Sequence, residues 1–156
     1  MNLKHLLTVL SLLVLLAFVI SVPRLLKSPS EIEGERVSNV DCDLNMGDCQ
    51  YLSSIYGDIT VAVSPSDLPV LKPLNVSLIS SSQKISKAII SLDGRDMYMG
   101  VNKAFLKRST QDSWDGVITI PVCTIDDEMV WLFSITLHGA EPERLVFTIK
   151  STHPQK

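Results

Sequence analysis

In Met129-Val130-Trp131-Leu132-Phe133-Ser134-Ile135-Thr136-Leu137, every odd-numbered position carries a large apolar side chain. Successive side chains of a strand point to opposite faces, so these five form one stripe suited to a buried sheet face. Shorter runs of the same kind lie on either side. Ile59-Thr60-Val61-Ala62-Val63 alternates, and Leu74, Val76 and Leu78 alternate with Asn75, Ser77 and Ile79. Ala88, Ile90 and Leu92 alternate with Lys87, Ile89 and Ser91. Val117-Ile118-Thr119-Ile120 is short and β-branched, and Leu145, Phe147 and Ile149 make a last stripe. Turn-forming pairs separate the runs: Ser64-Pro65, Lys72-Pro73, Asp93-Gly94, Asp115-Gly116 and the stretch from Gly139 to Pro142. Short strands at this spacing predict an all-β fold, an immunoglobulin-like β-sandwich of about seven strands.

The other decisive stretch is residues 6–22, an apolar run holding Thr8, Ser11 and Ser21 but no charge. Seventeen residues of helix reach about 25 Å, enough to cross a bilayer core. The run therefore reads as one N-terminal transmembrane helix with the following domain exported. A cleaved signal peptide is the alternative, although Val19-Ile20-Ser21 is a poor small-residue site and Pro23 follows it closely. The expected organisation is an anchor or signal peptide over 1–27, a linker over 28–40 and a cysteine loop over 41–57. The exported sandwich follows over 58–150, then a tail over 151–156.

Beyond residue 29 there are eleven Lys and Arg against seventeen Asp and Glu, a net charge of −6. That balance argues against nucleic acid, whose phosphates require a basic surface. Three cysteines are present. In an oxidising compartment Cys42 and Cys49 are expected to close a disulfide loop. Asn45 and Gly47 supply its turn, and the loop would add no more than ~2–3 kcal/mol. Cys123 is left over.

Cys123 keeps company with methionines. Met97 and Met99 sit in Asp96-Met97-Tyr98-Met99-Gly100, and Met129 opens the long stripe. If Met97 and Met99 lie on a strand, they share a face. Thiolate and thioether sulfurs are soft ligands suited to Cu(I). Trp131, two residues past Met129, would cover such a site. The same sulfurs would serve equally as core filling, since methionine and free cysteine pack well in apolar interiors. His5, His138 and His153 are scattered without zinc spacing, and Asp126-Asp127-Glu128 reads as a solvated acidic turn. Asn75-Val76-Ser77 is a chance glycosylation sequon. Neither a phosphate-cradling glycine loop nor a nucleophile elbow occurs, and no enzyme activity is expected.

Residues 92–102 (Leu-Asp-Gly-Arg-Asp-Met-Tyr-Met-Gly-Val-Asn), Trp114-Asp115-Gly116, Ile120-Pro121-Val122-Cys123 and Met129-Val130-Trp131 together resemble the FixH/YtkA-like family. The resemblance covers roughly residues 58–150. It implies a small bacterial inner-membrane protein, single-pass, with its C-terminal domain in the periplasm or outside the cell. It also implies a role in copper handling or cytochrome oxidase assembly. Met97, Met99, Cys123 and Met129 would then face Cu(I), with a respiratory oxidase or a copper-delivery protein as partner. The chain lacks the histidine-rich stretches of many copper-handling sandwiches, which favours Cu(I) over Cu(II). The alternative expectation is a metal-free structural or interaction module that docks a membrane protein complex.

Overall fold

A computed structural model describes residues 11–13, 15, 18, 34–122 and 128–152. Residues 11–13, 15 and 18 are helical, and no helix of the described residues is long and apolar enough to cross a membrane. The rest of the apolar run at 6–22, like the linker up to residue 33, lies outside the described residues.

The chain divides into two compact units, the second beginning at Gly34. That second unit is all β. Its strands are β1 (Arg36–Asn39), β2 (Cys49–Ser53), β3 (Gly57–Ser64), β4 (Pro73–Ser80) and β5 (Lys87–Gly94). They continue with β6 (Asn102–Arg108), β7 (Ser113–Thr119), β8 (Glu128–His138) and β9 (Glu143–Thr152). All belong to one nine-stranded curled sheet in the order β1-β9-β8-β5-β6-β7-β4-β3-β2. Every pairing is antiparallel except that of β1 with β9, which is parallel. β6 is the joint. Its residues 102–106 pair with β5, and only Lys107 and Arg108 pair with β7.

The expected stripes are the core. Met129, Trp131, Phe133, Ile135 and Leu137 of β8 are buried, as are Leu145, Phe147 and Ile149 of β9. Leu74, Val76 and Leu78 of β4 and Ala88, Ile90 and Leu92 of β5 complete the same apolar cluster. Burying each of the larger side chains stabilises the fold by about 1.5–3 kcal/mol. Trp131 is buried with its indole N–H donated to Ser151 Oγ at 2.8 Å, which satisfies the one polar atom it carries inward.

Nine strands occur where about seven were expected. The three that the sequence concealed share a cause: little of their surface is apolar and buried. β1 buries no residue and lies inside the stretch read as a linker. β2, inside the cysteine loop, buries only Cys49 and Ser53. β6 turns Lys103, Phe105 and Lys107 outward and buries only Leu106. β9 also runs two residues into the stretch read as a tail, because Ser151 is needed by Trp131.

β1 and β2 are the opposite edges of the strand order, yet their side chains meet. Glu143, at the start of β9, has no exposed surface. Its carboxylate accepts hydrogen bonds from Ser38 Oγ of β1 (3.2 Å), Tyr51 OH of β2 (3.1 Å) and Ser53 Oγ of β2, a short one. Tyr51 OH also lies 2.9 Å from Ser38 Oγ, so its single proton is shared between Ser38 and Glu143. No cation pairs with Glu143 among the described residues. The Cys42 and Cys49 sulfurs lie 2.01 Å apart, so the expected disulfide spans the connection from β1 to β2. Gly47 in that loop has a φ of +143°, in the region glycine tolerates, and Asn45 N–H donates to Asp43 Oδ1 at 2.9 Å.

Beside this seam Tyr56 OH donates a short hydrogen bond to the Glu141 carbonyl. Burial pushes the Tyr56 hydroxyl above its ordinary value near 10.0, and the Glu143 and Glu141 charges reinforce the shift.

Two outcomes follow for urea unfolding. Glu143→Ala strands buried hydroxyls and lowers the unfolding free energy by about 2–4 kcal/mol, while Glu143→Gln, which keeps an acceptor, costs less. Equal losses would show that the carboxylate's hydrogen bonds do not hold the edges. The raised Tyr56 value means its contribution is complete below pH 10 and fades as pH rises through the higher folded value. The wild type therefore loses more stability between pH 9 and pH 11 than Tyr56→Phe does; parallel curves would refute the assignment.

Candidate functional site

Three of the sulfur residues expected to act together, Met97, Met99 and Met129, lie at one end of β5 and β8. Register pairs Gly94 with Trp131 and Asp93 with Leu132. Arg95 N–H then donates to the Val130 carbonyl at 3.0 Å, after which the chain leaves the sheet. Residues 95–101 form an irregular segment, so Met97 and Met99 are not on a strand, contrary to the alternation proposed for them. The Asp93-Gly94 turn signal ends β5 before the methionines are reached.

Gly94 nevertheless brings parts of the methionine residues to one place. A Cβ at Gly94 would lie 2.5 Å from Met129 Cε and 3.3 Å from Met99 Cγ, and would collide with the Met97 carbonyl oxygen. The bare glycine thus leaves room for Met99 and Met129 to close over it, with the Met97 backbone alongside. Met129 is 9% exposed, while Met97 and Met99 are half-buried and pack against the core cluster. Tyr98, between them, is 83% exposed. Parts of the Met99 and Met129 side chains therefore converge beside the bare Gly94, where the core reaches the surface.

Cys123 lies outside the described residues. The nearest described positions, Ile120, Pro121 and Val122, bring the chain off β7. Ile120 is fully buried and bridged to Val70, and Val122 packs on the core. Trp131 does not cover the site from the solvent side, because it is wholly buried with its N–H committed to Ser151. Among the described residues no three His, Cys, Asp or Glu side chains are grouped to hold a metal. Of the acidic turn at 126–128 only the backbone of Glu128 is described, as the first residue of β8.

Two features escaped the sequence reading. Glu143 occupies the same parity as Leu145, Phe147 and Ile149, and a charged residue on an apolar stripe was the available signal. The second is a groove of about 600 Å³ on the outer face of β3, β4, β6 and β7. Its residues looked like ordinary solvent-facing positions, because nothing local marks a concave sheet face.

No family model, no curated protein and no solved structure matches this chain.

Gly94→Ala is expected to force the Met97 carbonyl and the Met129 methyl apart, at a cost of about 1–3 kcal/mol in stability. Methyl NMR should show the Met99 and Met129 resonances shifting together. Unmoved Met99 and Met129 signals would separate the two side chains and dissolve the cluster.

Proposed function

We propose that the protein is a membrane-tethered accessory factor in copper handling or respiratory oxidase assembly. Its exported domain has the immunoglobulin-like sandwich form, and it binds Cu(I) through Met97, Met99, Met129 and Cys123. The observation that carries this reading is the meeting of Met99 and Met129 over Gly94 at the margin of the core. Thioethers and a thiolate match Cu(I), which needs neither a high coordination number nor hard oxygen ligands. The uncharged run at 6–22 supports an anchor of the single-pass, inner-membrane kind, with the sheet domain in the periplasm or outside the cell. Cu(I), when bound, would be a transferable cargo. The chain's own part is to position the thioethers, with Gly94 setting their separation and the adjoining core excluding water from one side.

A second reading is a metal-free interaction module that docks a membrane complex. The packing of Met97 and Met99 against the core favours it, since methionine fills such gaps without any ligand role.

Competition of the detergent-solubilised full chain with bicinchoninate, under anaerobic reducing conditions, separates the two. The copper reading expects one Cu(I) per chain, and an affinity at least about tenfold weaker, ~1.4 kcal/mol, in the Met97→Leu, Met99→Leu, Cys123→Ser triple variant. Equal affinity in wild type and variant would sink it.

A further inference from the structure

The outer-face groove lies apart from the sulfur cluster, and its chemistry is of another kind. It is built on cross-strand rows. Ala62, Ser77, Asp115 and Lys107 stand side by side across β3, β4, β7 and β6. In the neighbouring row Asn75 of β4 lies between Ser64 and Val117. Strands are spaced by about 4.8 Å, so the four-residue row spans roughly 14 Å. Ala62 keeps the lining low, whereas Phe105 forms a wall beside Val117. Phe105 is 61% exposed and Val117 52% exposed. Lys87 Nζ lies 4.8 Å from the Phe105 ring centroid, which steadies the ring without covering the residue.

The polar side chains of this groove are uncommitted. The side chains of Asn75, Ser77, Lys107 and Asp115 make no hydrogen bond or ion pair with any other described residue. Together they offer donors (Lys107), acceptors (Asp115) and groups that do both (Asn75, Ser77). A ligand with hydroxyls, each both donor and acceptor, matches that mixture better than a purely anionic or purely apolar one. The backbone beneath is already paired, β3 with β4 and β4 with β7. A peptide adding itself as a strand would find no free backbone edge between β3, β4 and β7. Recognition here has to come from side chains and from the exposed ring, on which the C–H face of a sugar can stack. A volume of about 600 Å³ lies within the range of small-molecule sites.

We propose that the outer face of β3, β4, β6 and β7 is a saccharide-binding groove. Phe105 is its stacking platform, and Asn75, Ser77, Asp115 and Lys107 are its hydrogen-bonding groups. The row length suits a di- to trisaccharide segment of a longer glycan. The groove neither requires nor excludes a metal at the methionine cluster.

The test titrates the ¹⁵N-labelled full chain, in detergent micelles, with oligomers of N-acetylglucosamine, glucose and galactose; the detergent must carry no sugar headgroup. An acidic peptide serves as comparison. The expected result is saturable shifts at Phe105, Val117 and Asn75 with at least one oligosaccharide. Phe105→Ala should weaken that binding at least about tenfold, with an unchanged circular dichroism spectrum, while Phe105→Tyr retains it. Asp115→Asn, which leaves the ring in place, should weaken it severalfold. No saturable shift with any of the three oligomers overturns the proposal, as does binding indifferent to Phe105→Ala. Saturation of the groove by the acidic peptide alone would also overturn it, and would make the face a protein-docking surface.

Discussion

A curled sheet has two edges, and here one buried carboxylate holds them together. Glu143 begins β9, next to β1, and accepts hydroxyl hydrogen bonds from Ser38 on β1 and from Tyr51 and Ser53 on β2. No backbone pairing joins β1 to β2, so this seam is closed by side chains. Burying a carboxylate without a cation is costly unless its lone pairs are satisfied, which the hydroxyls do. A carboxylate with such partners tolerates only one alignment, so the contact sets register as well as contributing energy. The Cys42–Cys49 crosslink acts on the same seam, since Cys42 follows β1 and Cys49 begins β2. Arg36 Nη1 adds a hydrogen bond to Ser54 Oγ across it (2.9 Å).

With its edges held, the sheet presents surfaces of different character. The inward face is continuous and apolar, and at the Gly94 end it reaches the surface through Met97, Met99 and Met129. The outward face of β3, β4, β6 and β7 is concave and mixed, with Phe105 and Val117 standing among free polar groups. β6 makes this arrangement by dividing its pairing between β5 and β7. Asn102 Nδ2 spans the parting strands by donating to the Thr119 carbonyl at 2.8 Å. Because the sulfur cluster and the groove use different residues, substitutions at one can be read without disturbing the other.

The sequence by itself determined the inward face. Period-two alternation in β3, β4, β5, β8 and β9 exists because one side of each strand must leave water, and that demand is written locally, residue by residue. Proximity of Cys42 and Cys49 likewise made their pairing legible. What only the tertiary structure decided are contacts between residues distant along the chain. Glu143 finds Ser53 across 90 positions, and Gly94 seats Met129 beside Met99. β1, β2 and β6 carry almost no apolar stripe, since their stability comes from neighbours and not from their own burial. The concavity of the outer face is set by the curl of the whole sheet, which no single strand's residues encode.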